Sequence, residues 1–118
     1  MPDDVQTEEL VATDDYIVWI SHEPDGETGY HLELGQVTVH LFQEEWDELL
    51  SLMQEFTQNP NTDLVSAENF AISVSREPGE ETLYYLELTQ ATVHFFQEDW
   101  DELTDLIEAA REETAKRQ

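Results

Sequence analysis

Two histidines and a glutamate are the residues of this chain best placed to do chemistry. If the segments around Leu32 and Val39 pair as a hairpin, His31 stands directly opposite His40 with Glu33 one pleat away. Two imidazoles and a carboxylate form a donor set suited to Zn²⁺. The later segment has His94 where His40 would be matched, but Tyr85 where His31 would be, so an equivalent site there would lack a ligand. A plainer reading has His40 and His94 hydrogen-bonded to Glu33 and Glu87 on the neighbouring strand, which satisfies a half-buried ring. On that reading the chain holds no metal, no cofactor and no catalytic group. The carboxylate pairs Glu44-Glu45 and Glu98-Asp99 are then solvated helix surface. No Gly-rich phosphate loop, nucleophile elbow, Ser/His/Asp arrangement or metalloprotease helix is present, and the chain reads as non-enzymatic.

The elements that would position these residues occur twice. Residues 16–56 and 70–110 align without a gap at an offset of 54, with 21 of 41 positions identical. A unit of about 40 residues can hardly bury a core alone, so the two copies are expected to pack as one pseudo-symmetric domain. Its expected boundaries are an acidic arm at 1–14, repeat one at 15–57, a linker at 58–68 and repeat two at 69–118. Glu8 to Ala12 could make a helical turn within the arm.

Within a repeat, Tyr16, Val18 and Ile20 alternate with Ile17, Trp19 and Ser21, the period of a strand with one apolar face. Glu23-Pro24-Asp25-Gly26, and Glu77-Pro78-Gly79 later, break the pattern with turn residues. Tyr30, Leu32 and Leu34 share a face, but from Val37 the apolar set is Val37, Val39 and Leu41, a slip of one. A two-residue turn at Gly35-Gln36 repairs the parity and predicts the ladder 33:38, 32:39, 31:40. Thr89-Gln90 suits such a turn poorly, so that corner is expected to be bulged or longer. From Gln43 to Thr57 the period becomes helical, with Trp46, Leu49, Leu50, Met53 and Phe56 on one stripe. Trp100, Leu103, Leu106, Ile107 and Ala110 repeat it in a helix running toward Lys116. The fold class is therefore α+β: two tandem β-β-β-α repeats, one mostly antiparallel six-stranded sheet, and two helices on one face with their tryptophans against it.

The opposite face of that sheet would display Ile17, Trp19, His31, His40 and Phe42 from one copy and Tyr85, His94 and Phe96 from the other. Aromatic groups left open on a chain otherwise covered by carboxylates suggest a surface meant to be covered, by a second copy or by a protein partner.

Charge sets the conditions. Twenty-nine Asp and Glu stand against four Lys and Arg, a net charge of −25, spread through both copies and the arm. A full apolar pattern accompanies the acids, so the charge does not signal disorder. No apolar run reaches the roughly 18 residues that cross a bilayer, and Met1-Pro2-Asp3-Asp4 lacks the features of a secretory signal, which points to the cytoplasm. Zero cysteines exclude disulfides and thiolate metal sites.

Near-total loss of lysine with acids everywhere resembles the proteins of extreme halophiles, above all haloarchaea, and implies folding in concentrated salt. The strand-to-helix run Val37-Thr38-Val39-His40-Leu41-Phe42-Gln43-Glu44-Glu45-Trp46-Asp47-Glu48-Leu49 resembles the last strand and helix of the positive-cofactor-four, Pur and Whirly single-strand-binding proteins. That resemblance implies base stacking on Trp19, His31, Phe42, Tyr85 and Phe96. Two departures oppose it: those families have four strands per unit, and their basic residues are absent here. A DNA mimic is the remaining alternative, although mimicry calls for acids in line on one face whereas these are scattered.

Overall fold

A computed structural model describes residues 6–59, 61–89 and 91–116. Pro60 of the expected linker, Gln90 of the second corner and the first five residues of the expected arm lie outside them. The fold is α+β, with two antiparallel four-stranded sheets and two helices. The first sheet runs β1 (Gln6–Ala12), β2 (Tyr16–His22), β3 (Thr28–Leu34) and β4 (Val37–Phe42) in chain order, followed by α1 (Gln43–Gln58). The second runs β5 (Leu64–Ser66), β6 (Ala71–Ser75), β7 (Leu83–Glu87) and β8 (Thr92–Phe95), followed by α2 (Gln97–Lys116).

The single six-stranded sheet is thus replaced by two sheets, and each three-strand unit by four. Both extra strands lay where alternation was hidden. In β1, expected as part of an acidic arm with a helical turn at Glu8–Ala12, the register against β2 shifts between Glu9 and Val11. That bulge breaks the period-two signal, and the acidic side chains of this edge strand look out to water. The other, β5, is three residues long and sits inside the expected linker. Only Val65 of it is buried.

The β3–β4 hairpin has the expected register: Leu34 faces Val37, Glu33 faces Thr38, Leu32 faces Val39 and His31 faces His40. Gly35 supplies the positive φ, 74°, that a two-residue reversal of the II′ kind needs at its first position. In the second sheet the Leu88 N–H donates to the Ala91 carbonyl across the corresponding corner.

Compact packing divides the chain into two units, one of residues 1–46 with 105–118 and the other of residues 47–104. In the first, Val18, Ile20, Tyr30, Leu32 and Leu41 are buried, as are Trp46 at the start of α1 and Leu106, Ile107 and Ala110 from α2. Tyr30 stacks on Trp46 with ring centroids 4.8 Å apart and planes 3° from parallel, and its hydroxyl donates to Gln43 Oε1 at 2.9 Å. The second unit buries Ile72, Leu86, Phe95, Trp100 and Leu103 together with Leu49, Leu52, Met53 and Phe56 of α1. There Tyr84 stacks on Trp100 at 4.9 Å and 3°, and its hydroxyl donates to Gln97 Oε1 at 2.8 Å. Both helical stripes fall as expected, except that Leu52 is buried and Leu50 is only half so.

The start of α1 is held by its own acid: Glu45 reaches back to accept from the Phe42 N–H at 3.0 Å, one arm of a capping box. No helix among the described residues is long and apolar enough to cross a membrane.

Trp46 is fully buried, yet its indole N–H has no hydrogen-bond partner among the described residues. The ring therefore stabilises the core through area and stacking, with no help from its polar end. Replacement Trp46→Ala is expected to cost about 3–5 kcal/mol. Trp46→Phe, which keeps an aromatic ring and removes the unpaired donor, is expected to cost less than half as much. Denaturant unfolding of the two variants in concentrated KCl checks the ordering, and equal losses would contradict it.

Candidate functional site

Strand alternation sends Tyr16, Val18, Ile20, Tyr30, Leu32 and Leu34 to the buried face of the first sheet and leaves Ile17, Trp19, His31 and Glu33 half-buried on the other. Thr38, His40 and Phe42 of the edge strand β4 are exposed on that open face, Phe42 by 64%. The expected surface is divided between two sheets, since Tyr85, His94 and Phe96 belong to the second. Phe96 follows directly on β8 and is 53% exposed.

The ladder lines up Glu9, Trp19, His31 and His40 as one row across β1 to β4. Trp19 and His31 lie flat on each other, with centroids 3.8 Å apart and planes 12° from parallel, and His40 meets His31 edge-on at 4.7 Å. The two rings touch through nitrogen: His31 Nδ1 and His40 Nδ1 are 2.5 Å apart. On its other side His31 Nε2 lies 2.9 Å from Ser21 Oγ. The partner of His40 is therefore His31 rather than the Glu33 expected for it. His94 meets Tyr85 edge-on at 4.8 Å, in place of the bond expected to Glu87. Among the described residues no three His, Asp or Glu side chains converge as metal ligands, so Glu33 does not complete a trio with His31 and His40.

Two residues of the rung beside this row escaped sequence reasoning. Ser21 was visible only as a polar member of the open face, yet it is 2% exposed and anchors the His31 ring. Its cross-strand neighbour is Gly29, where an added Cβ would come within 2.7 Å of Ser21 Oγ and 3.3 Å of His31 Nε2. The signal was present as a paired change: the matched positions of the second copy carry Leu83 and Tyr85 in place of Gly29 and His31. A small residue opposite the serine accompanies the histidine, and a large one accompanies the tyrosine.

The chain Ser21–His31–His40 has the connectivity by which an imidazole activates a hydroxyl. Burial of Ser21 under its neighbours keeps that oxygen from a substrate, so it works as an anchor. Burial, and then the charge of His40, hold the His31 pKa below the ordinary imidazole value, while Glu23 and Glu33 oppose the shift. Cations are scarce around the sheets: Arg76, just past β6, is ion-paired with Asp63.

Compared with known proteins, the chain matches no family model, no curated protein and no solved structure.

Two outcomes are expected. Gly29→Ala should destabilise the fold by about 1–3 kcal/mol through the clash with Ser21. In a Ser21→Ala background the same change should cost clearly less, because the clashing oxygen is gone. Unfolding free energies of the four proteins check this, and additive losses would contradict it.

The His31 shift carries a pH dependence. With its folded pKa below its unfolded one, the unfolded chain binds more protons between the two values. The contribution is complete above the ordinary imidazole value and declines as pH falls through it toward the folded one. Stability measured from about pH 8 down to about pH 5.5 should therefore fall less in His31→Gln than in the parent. Parallel curves would contradict the assignment.

Proposed function

We propose that this protein is a non-enzymatic, salt-adapted interaction module, built from a duplicated strand-and-helix unit, that covers the open face of its first sheet with a second protein surface, in the simplest case a second copy of itself. The observation that carries the reading is the aromatic row itself: Trp19 and His31 stacked and half-buried, with Phe42 64% exposed beside them, on a chain of net charge −25. A surface of that kind loses free energy when removed from water, by roughly 25 cal/mol per Å² of apolar area. The duplicated Tyr–Trp stacks and tyrosine–glutamine bonds support descent of both halves from one unit.

Salt decides when such contact is possible. Two chains of this charge repel strongly in dilute buffer, whereas at molar ionic strength the Debye length shrinks to about 3 Å and apolar burial prevails. A protein of this kind belongs in a cytoplasm rich in potassium chloride.

A second reading, binding of single-stranded nucleic acid, gains from the strand count. Four strands in each sheet remove one of the two departures from the positive-cofactor-four, Pur and Whirly families. Stacking on Trp19 or Phe42 would contribute about 1–3 kcal/mol per base. The other departure stands: no strand of either sheet contains a Lys or Arg, so the phosphate term that normally dominates affinity is missing.

Molar mass measured by light scattering from low salt to about 3 M KCl separates these readings. Self-association is expected to grow with salt and to weaken in Trp19→Ala and in Phe42→Ser. A monomer at every salt concentration would overturn pairing of copies, and quenching of tryptophan emission by a single-stranded oligonucleotide in the same buffer would favour the second reading.

A further inference from the structure

We propose that His31 and His40 form an open, two-imidazole site for a borderline divalent cation of the zinc, nickel and copper kind. The two Nδ1 atoms face each other at 2.5 Å from adjacent strands, and a rigid ladder fixes the backbone beneath them. Two imidazole lone pairs cannot be left pointing at one another, so something positive must lie between them. In the neutral protein this is one proton: in one tautomer Ser21 donates to His31 Nε2 while His31 Nδ1–H donates to His40 Nδ1.

Ser21 can serve the other tautomer equally well, because a hydroxyl both donates and accepts. When His31 carries its proton on Nε2 and donates it to Ser21 Oγ, both Nδ1 lone pairs are free for a metal. That exchange moves the proton from one nitrogen of the ring to the other, and none need be released. The arrangement is the one metal-binding histidines commonly have, with the second ring nitrogen held by an oxygen that sets tautomer and orientation. Here the oxygen belongs to a side chain that is itself 2% exposed, and the stacked indole of Trp19 fixes the plane of the His31 ring.

Geometry asks little of the protein. Two nitrogens each about 2.0–2.1 Å from one ion lie about 2.9 Å apart at a right angle and about 3.3 Å apart at the tetrahedral angle, so the rings need to open by roughly 0.4–0.9 Å. His40 is exposed on an edge strand and is free to turn that far. With only two protein ligands the remaining coordination positions stay open to water. Imidazole nitrogen selects zinc, nickel and copper over the hard cations that carboxylates prefer. The second sheet is a built-in control, since Tyr85 stands where His31 does and His94 has no imidazole partner across the strand.

The test is calorimetric titration with Zn²⁺ in about 2 M KCl and excess Mg²⁺, which screens and occupies the carboxylates, followed by histidine nitrogen chemical shifts. One site per chain is expected in the parent and in His94→Ala, with Nδ1 of His31 and His40 moving while the rings of His22 and His94 do not. Binding should be lost in His40→Ala, whose exposed position leaves the fold intact. Absence of saturable binding in the parent, or unchanged binding in His40→Ala, would overturn the proposal.

Discussion

A net charge of −25 on 118 residues leaves apolar burial as the force that must hold this chain together. Ion pairs contribute little: those of Arg111 with Glu108 and Lys116 with Glu113 lie at the surface within one helix, and pairs of that kind contribute about 0.3–0.5 kcal/mol. The load falls on strand alternation, which sends Val18, Leu32, Ile72 and Leu86 inward, and on the tryptophan at the start of each helix. Each tryptophan lies flat on a tyrosine from the sheet, and the tyrosine hydroxyl ties the first residue of the helix to the same strand. Sheet and helix are locked together at the point where the chain passes from one to the other.

Alternation that builds a core on one side of a strand also decides what remains on the other. In β2 and β3 the outward positions hold an indole, an imidazole and a buried serine, with Glu33 the one carboxylate among them. The face is polar enough to stay in water, since His31 and His40 satisfy one another and Ser21. It is also aromatic enough to gain from being covered. Interaction and cation binding are two proposals about this one row, and they differ in the atoms they use: ring faces and Phe42 for the first, two nitrogens for the second.

Much of this was legible in residue order, for reasons that can be traced. The β3–β4 register followed from a one-residue slip in apolar parity that only a two-residue turn can absorb, and Gly35 at its head has the positive φ required. The helical stripes followed from spacing. What escaped lay where the pattern was short or interrupted: β1 contains a bulge and acidic side chains, β5 is three residues long, and neither shows a clean period. Division into two sheets depends on which strand edges meet, which no local pattern encodes. At the site, the meeting of His31 with His40 was readable from register, whereas the role of Ser21 needed the space above Gly29.

The open face can be watched directly by leaving Trp19 as the sole indole, with Trp46→Phe and Trp100→Phe removing the two buried ones. In concentrated KCl, the account predicts that Trp19 emission shifts to shorter wavelength as protein concentration rises, because the row passes from water into contact. Emission that stays at the same wavelength from dilute to concentrated solution would contradict it.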